Sequence, residues 1–388
     1  MKMYFERNIK LHYVISSLMW GRFFIPVIAL FFIASQVSLE QFTIIMSVFA
    51  LATLLFEIPS GAVTDLLGKK NILLLSRFLY LVEIALIAFF DGFLIFLIAK
   101  IISGVAVSFT SGASESLVYD SLKRLKREKD YKKVAGLANT ISNISMVVVF
   151  ITGSYLFTIY YKLPALASLP LVFIGFILTF FITEPYNSKT KITVKNSVLQ
   201  MAKGLKYFKN NYYLKYLALF TFIMGSTIAM MLNLSSKYFE LILIPVASIG
   251  LISFFMSLTT AYSSKKAHDM EVFLGEKNSI IYSASLLFLA VLLSAFLFYY
   301  IGVIFLFIVA FVSGFYHVLI GDYVNKHVTT STRATMLSVN NMFSNIGVFL
   351  IFPAIGFLGE EISFSFSLFF LSALIFICLT LLIYFYKK

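Results

Sequence analysis

The stretch from Gly61 to Lys70 reads Gly-Ala-Val-Thr-Asp-Leu-Leu-Gly-Lys-Lys, and an apolar run lies on each side of it. Each run has about 20 residues, which is enough to cross a bilayer core of roughly 30 Å as a helix. The chain of 388 residues is 60% hydrophobic and only 13% charged. These features predict an all-α membrane protein in which the quoted stretch connects two spans.

Twelve transmembrane helices are expected, in two pseudo-symmetric sets of six. The predicted spans lie near residues 11–34, 41–63, 72–90, 93–118, 134–158, 164–183, 213–236, 243–263, 279–299, 302–325, 334–357 and 363–386. Residues 1–183 and 213–388 then form the two halves, and residues 184–212 form a linker between them. The single cysteine, Cys378, excludes an internal disulfide.

Charges are distributed very unequally between the predicted loops. The termini and the loops on their side, with Lys215 at the adjoining end of span 213–236, carry 26 of the 31 Lys and Arg, whereas the opposite side carries only Lys162 and Lys237. This bias predicts that both termini are cytoplasmic. The net charge of +13 then reflects topology and contact with anionic lipid, so we expect no nucleic-acid partner. In the linker, Lys203 and Lys206 with Leu205 predict an amphipathic helix at the inner interface.

Three short repeats relate the two halves. Two are offset by 202 positions and the third by 207. They are Ser111-Gly112 with Asp120 against Ser313-Gly314 with Asp322, Ser142-Asn143-Ile144 against Ser344-Asn345-Ile346, and Leu67-Gly68-Lys69-Lys70-Asn71 against Leu274-Gly275-Glu276-Lys277-Asn278. Paired halves of this size in a membrane protein predict a transporter whose substrate site lies between them.

The stretch from Gly61 to Lys70 resembles the Gly-x-x-x-Asp-x-x-Gly-basic-basic loop signature of the major facilitator superfamily. With twelve spans in paired halves, the resemblance covers the whole chain. Residues 56–60 and 111–122 are similar to a branch of small bacterial members often described as exporters. The resemblance implies a monomeric, multi-pass transporter of the bacterial cytoplasmic (inner) membrane that works by alternating access between its halves.

The resemblance also implies a cytoplasmic latch between the halves. Its residues are Gly61, Asp65, Gly68, Lys69, Lys70, Asp120 and Arg333. The two glycines allow close helix approach and a tight turn. Asp65 would face the N-terminus of span eleven, where Arg333 stands and the helix dipole favours a carboxylate. Lys69 would pair with Asp120. The second half lacks the motif but retains Asp322, which predicts a weaker clasp there.

Charges inside spans are expected to be paired or hydrated, because a mid-bilayer charge costs roughly +2.5 to +3.5 kcal/mol. Glu83 lies eight residues before Asp91, and Lys100 lies eight residues after Gly92. A tight turn at Asp91-Gly92 would bring both side chains to one depth. We therefore expect a Glu83–Lys100 ion pair, either structural or linked to proton transfer.

Two arginines within spans have less obvious partners. Arg22 could reach Glu115 or Glu57, or face water and an anionic substrate group. Arg77 and Glu57 lie at similar depth and could pair. On one continuous helix, Lys100, Gly104, Ser108, Ser111 and Glu115 would share an arc of about 80°. Such a stripe predicts a cavity wall or a helix-packing seam.

Polar residues in the spans supply the remaining candidates. The proton-coupling candidates are Glu115, Glu57, Glu83, Lys100 and His317, although His317 is more simply a core residue. The substrate-cavity candidates are Arg22, Asn139, Asn143, Asn233, Asn341 and Asn345, which could instead bond neighbouring helices.

Several chemical signatures are absent from the sequence. It carries no nucleotide-binding loop, no metal-ligand spacing and no nucleophile motif, so we expect no enzyme activity, no cofactor and no metal. The expected function is secondary active transport of a small organic or amphipathic solute across the membrane. Proton-coupled efflux by antiport is the first interpretation. The alternative is a proton-coupled uptake symporter, or a uniporter, for a small metabolite that could be anionic.

Overall fold

The computed structural model describes residues 2–110, 112–185, 194–297, 299–328 and 333–386. Within these ranges the regular structure is entirely helical. The α-helices are α1 Lys2–Met19, α2 Ile28–Ala34, α3 Leu39–Leu67, α4 Lys69–Phe89, α5 Phe93–Thr110, α6 Ala113–Arg124, α7 Tyr131–Ile159, α8 Leu163–Phe180, α9 Val194–Asn210, α10 Tyr212–Leu241, α11 Val246–Leu274, α12 Glu276–Ser294, α13 Val303–Lys326, α14 Arg333–Glu361 and α15 Phe364–Tyr386. The prediction of an all-α protein is confirmed for the described residues.

Eleven helical segments of the described chain are long and apolar enough to cross a membrane. A further apolar segment, Ile25–Ala34, is shorter. The expected multi-pass membrane protein is therefore supported, whereas the count of twelve full spans is not, because the predicted first span 11–34 is interrupted.

The interruption at residues 20–24 separates α1 from a 3-10 turn and α2. Pro26 follows at once, and its ring disfavours a continuous α-helix through this region. Non-helical backbone at membrane depth needs protein partners. Phe23 donates its N–H to Ser168 Oγ at 2.9 Å. On its other side Gly153 of α7 packs so closely on the Phe23 carbonyl that no side chain would fit between them.

A second break divides the predicted span 93–118 into α5 and α6. Gly112 there has a φ of 73°, which glycine adopts without strain. Ser111, beside it, lies outside the described residues. Because of the break, Glu115 on α6 does not continue the face of α5 that carries Lys100. The predicted stripe along one continuous helix is therefore wrong for Glu115, while its Lys100 end is buried.

The chain forms two compact units. The first contains Met1–Val27 and Leu51–Leu199, and the second contains Ile28–Ala50 and Gln200–Lys388. In the first unit α4 packs against α5 and α8, and α1 packs against α6, α7 and α8. In the second unit α11 packs against α13, α10 against α14, and α12 against α15. The division into halves at residues 183 and 213 stays a prediction.

One of the three repeats has the same local structure in both units. Gly68 before α4 and Gly275 before α12 have φ angles of 83° and 78°. Asn71 Nδ2 donates to the carbonyl oxygen four residues earlier at 2.9 Å, and Asn278 does the same at 2.9 Å. The Ser-Gly repeat differs, because Gly314 lies inside the continuous helix α13. The predicted tight turn at Gly68 is confirmed.

Helix α9 confirms the amphipathic helix predicted in the linker, but with a different buried face. Lys203 and Leu205 are exposed, whereas Gly204 and Phe208 are buried. The Phe208 ring lies 5.6 Å from that of Phe343 on α14. At Gly204 and Phe208, α9 therefore packs against α14.

Candidate functional site

A cavity of about 310 Å³ lies within the first unit. It is bounded by α1, the end of α5, the first turns of α6 and the first half of α7. Its polar lining includes His12, Thr110, Ser114, Glu115, Asn139 and Ser142. Tyr131 is the one Phe, Tyr or Trp side chain among the lining residues. Small and polar side chains therefore make up most of the cavity wall.

The break between α5 and α6 shapes this cavity. It places the first turn of α6 at the cavity wall, so that Glu115 is exposed there. Of the two asparagines predicted on α7, Asn139 lines the cavity. Asn143, one turn later, is exposed but is not part of the lining. The structure thus brings one predicted acid and one predicted amide to the same small volume.

The Glu83–Lys100 ion pair is confirmed. Lys100 Nζ donates to Glu83 Oε1 at 2.7 Å, joining α4 to α5. Both residues are buried, with 0% of Glu83 and 4% of Lys100 exposed. The Lys100 ammonium also lies 5.4 Å from the centroid of the Phe24 ring. A short antiparallel turn was enough to predict this pair.

The arginines are placed differently from the prediction. Arg77 donates from Nη1 to Thr110 Oγ1 at 3.2 Å and forms no ion pair with Glu57 in the described part of the chain. The guanidinium of Arg22 lies over the Tyr80 ring, 5.1 Å from its centroid. It forms no ion pair with a described carboxylate, so the suggested salt bridges of both arginines are wrong. The contacts that the two arginines make instead, with an aromatic ring and with a threonine hydroxyl, have no sequence pattern from which they could be predicted.

The motif loop has the predicted contact within the first unit. Lys69 Nζ forms an ion pair with Asp120 Oδ2 and approaches the Ser116 carbonyl oxygen at 3.4 Å. Asp65 is half-buried. Its expected partner Arg333 belongs to the second unit, and that half of the latch stays a prediction. Gly61 is exposed within the last two turns of α3.

Glu184 completes the motif loop and was missed in the sequence, where it only began the linker. Its Oε2 accepts the backbone N–H of Lys70 at 2.7 Å, in the first turn of α4. Gly68 would bring a Cβ to within 3.3 Å of the same oxygen. Asn8, fully buried on α1, holds the adjacent backbone by bonds to Thr183 N and O of 2.9 and 2.7 Å. The start of the linker thus caps α4.

We expect Glu184→Ala to destabilise the protein by about 1–2 kcal/mol, because α4 loses its capping acceptor and a charge that favours its dipole. Glu361→Ala, at an exposed helix end, is the matched control and should change the melting temperature little. Thermal unfolding in detergent measures both. Equal melting temperatures for the two variants would contradict the capping role.

The second-unit candidates are dispersed. Asn233 donates to the carbonyl of Ala229 in its own helix at 2.8 Å. Asn341 is exposed and Asn345 is half-buried on α14. His317 is exposed on α13, so its interpretation as a buried core residue is wrong.

One buried amide of the second unit was missed. Asn340, 1% exposed, accepts a hydrogen bond from Thr221 at 3.0 Å. It adjoins the repeated Asn341 but points to the opposite environment, which the repeat alone could not indicate. This hydrogen bond joins α10 to α14 and stabilises the packing of the two helices.

The weaker clasp predicted in the second unit takes a local form. Lys326 Nζ lies 2.6 Å from Asp322 Oδ2 on the same helix and 3.3 Å from Glu271 Oε1 on α11. At the position that matches Lys69, this unit has the acid Glu276. Asp322 therefore lacks the partner that Asp120 has, and Lys326 takes its place.

Metal binding finds no support in the part of the chain that the structure describes. No group of three or more His, Cys, Asp or Glu side chains there could hold an ion.

Comparisons with known proteins agree with this architecture. A family model described as Major Facilitator Superfamily matches residues 13–351. The structure of the nucleoside transporter NupG has a TM-score of 0.81 and 13% identity, with 99% of each chain covered. A point mutant of NupG scores 0.82 at 14% identity, covering 98% of this chain and 99% of that one. A D-xylose-proton symporter scores 0.73 at 12% identity, covering 97% of this chain and 96% of that one.

No curated protein sequence matches the chain. At such low identities the similar structures show the fold alone. The family match is different, because it extends over most of the chain and includes the motif loop and both units. The protein belongs to the major facilitator superfamily and is a membrane transporter rather than an enzyme.

Proposed function

We propose that the protein takes up a small polar metabolite together with protons, by alternating access. The observation that carries this proposal is that the exposed side chain of Glu115 lines the same 310 Å³ cavity as Asn139 and Ser142. An acid that shares its volume with a substrate can bind a proton and influence substrate binding at once. The D-xylose-proton symporter, which has a similar fold, is named for the transport of a sugar together with protons.

Proton-coupled efflux, the first interpretation of the sequence, has less support. Export of amphipathic compounds would favour an aromatic cavity, whereas small and polar side chains surround this one. The similar structures bear the names of a nucleoside transporter and a sugar–proton symporter. Uptake of a polar metabolite therefore accounts for more observations.

Orientation and the latch belong to the same proposal. The inequality in loop charge supports an orientation with both termini inside, and the family resemblance supports a bacterial cytoplasmic membrane location. On that orientation the Lys69–Asp120 pair lies on the cytoplasmic side, where Asp65 and Arg333 would add the contact between halves that closes the inner entrance. The protein would act as a monomer in contact with membrane lipid.

The experiment is uptake into proteoliposomes with an alkaline lumen and an acidic exterior, using labelled nucleosides, sugars and small organic acids. A symporter accumulates substrate in the lumen whichever way it is inserted, because protons drive it inward. A proton gradient equivalent to 100 mV supplies about 2.3 kcal/mol for each proton that crosses, which is enough for roughly fifty-fold accumulation of substrate. Glu115→Gln should abolish accumulation and retain exchange of labelled for unlabelled substrate, which needs no net proton movement.

Glu128→Gln, an exposed acid of the same unit outside the cavity, is the matched control and should accumulate substrate normally. If the Glu115→Gln variant still accumulates substrate at the wild-type level, Glu115 is not the proton-coupling residue. If the same gradient empties preloaded vesicles, the protein is an exporter. If the wild type ignores the gradient, proton coupling is wrong.

A further inference from the structure

Arg77 is a buried cation that lacks a matching anion. It is 6% exposed, and its Nε has no hydrogen-bond partner. The one described partner of the guanidinium is the uncharged Thr110 hydroxyl. Arginine stays protonated in proteins, and a buried charge without a counter-charge is costly. Binding of an anion would offset the free-energy cost of this buried charge.

Its surroundings are positive rather than negative. Arg22, whose Nε is also buried and without a partner, lies over Tyr80. Tyr80 follows Arg77 by three residues on α4, so it lies on the same helical face. The buried acid of this helix, Glu83, has Lys100 as its partner. The two guanidiniums therefore form a positive region with no described carboxylate in ion-pair contact.

The Arg77 side of this positive region lies next to the cavity. A recess of about 10 Å³ is lined by Arg77 and shares His12, Ser16 and Ser114 with the 310 Å³ cavity. This space is enough for about one water-sized group, such as one carboxylate or phosphate oxygen. An oxygen of a solute in the cavity could occupy the recess and meet the guanidinium.

The start of α6 brings backbone N–H groups to the same place, together with the carboxylate of Glu115 in its first turn. This helix has 12 residues, and its N-cap Gly112 makes no side-chain cap. The first backbone N–H groups of a helix have no partners within it and favour anions. Ser114, in this first turn, lines both the cavity and the recess.

We propose that the transported metabolite carries a carboxylate or phosphate group, and that an oxygen of this group binds in the recess beside Arg77, with Arg22 adding to the positive potential. This inference rests on the proposed function, since it takes the cavity for the substrate site. It narrows the substrate from polar solutes in general to small organic anions.

The test compares acids with related neutral compounds. Purified wild-type protein in detergent is heated at constant ionic strength with lactate or lactamide, succinate or succinamide, and glycerol 3-phosphate or glycerol. Ligands that bind the folded state raise the melting temperature. At least one acid should raise it while its neutral counterpart does not, and the pair concerned tells carboxylate from phosphate recognition.

Variants then locate the binding group. Arg77→Gln should weaken binding of the active acid by about tenfold or more, as expected for loss of a charge-assisted hydrogen bond. Arg127→Gln is the matched control, because this guanidinium is exposed, pairs with Glu6 and Asp130, and lines neither the cavity nor the recess. If Arg77→Gln does not fold, Arg22→Gln is measured in its place.

Equal shifts by an acid and its amide, no shift by any acid, or full binding by the arginine variants would each overturn the inference. These failures differ from failure of the proposed function. If anions bind through Arg77 but do not accumulate when a proton gradient is imposed, the inference about the anion holds and the proposed proton-coupled uptake is wrong. If instead neutral solutes accumulate with protons, the proposed proton-coupled uptake holds and the inference about the anion is wrong.

Discussion

Replacing Glu83 with glutamine is expected to destabilise the folded protein by about 3–5 kcal/mol, because Lys100 is then a buried cation without its carboxylate. The two groups lie 2.7 Å apart, and neither has more than a few percent of its surface exposed. Water cannot replace the lost partner at this depth. Lys100→Gln should have a similar effect, because it leaves the Glu83 carboxylate alone.

The double variant Glu83→Gln with Lys100→Gln should regain much of this stability, since no unpaired charge remains. Denaturant unfolding of all four proteins gives a double-mutant cycle. The exposed pair of Lys237 and Glu240, 2.6 Å apart on one helix turn, is the control and should show little coupling. Losses that simply add in the Glu83–Lys100 cycle would contradict a shared buried pair.

The same double variant separates the two roles considered for the pair. If the pair is structural, the refolded double variant should keep gradient-driven uptake. If Lys100 exchanges a proton with Glu83 during transport, the variant should be stable but uncoupled. Uptake assays on the variant therefore decide a question that the distance alone leaves open.

Gly153→Ala is expected to destabilise the first unit by about 1–3 kcal/mol or more, through overpacking. An added Cβ would overlap the Phe23 carbonyl oxygen and lie 2.8 Å from its carbonyl carbon. These are backbone atoms of the interrupted first span, which Ser168 holds by a hydrogen bond. The backbone must therefore shift, because no flexible side chain can yield.

Gly136, on the same helix α7, is the matched control. Nothing lies within 4 Å of a Cβ at this position. Gly136→Ala should stabilise α7 by about 0.5–1 kcal/mol, since alanine is the better helix former. Opposite signs for the two variants in thermal unfolding are the expected result. A harmless Gly153→Ala would show that the packing against Phe23 is loose.

What the sequence could predict depended on separation along the chain. The Glu83–Lys100 pair followed from a tight turn between neighbouring helices, and the turn at Gly68 followed from the motif. Both are local features whose geometry is nearly fixed by residue spacing. The Lys69–Asp120 contact is less local and came from the family resemblance.

The parts that could not be predicted depend on contacts between distant segments. Arg22 has a long side chain, and only the folded unit shows that Tyr80 rather than an acid lies beneath it. Glu184 looked like the first residue of a polar linker, because a cap supplied from more than a hundred residues away has no sequence signature. The break before α2 depends on Gly153 and Ser168 in the same way.

The interruption of the first span also sets an order of assembly during synthesis. The apolar segment Ile25–Ala34 extends only about 15 Å at 1.5 Å per residue, half of the bilayer core of roughly 30 Å. It cannot by itself hold a stable position across the membrane when it leaves the ribosome. The residues of α7 and α8 that hold the backbone just before it are translated more than a hundred residues later, so this early segment gains these contacts only late in synthesis.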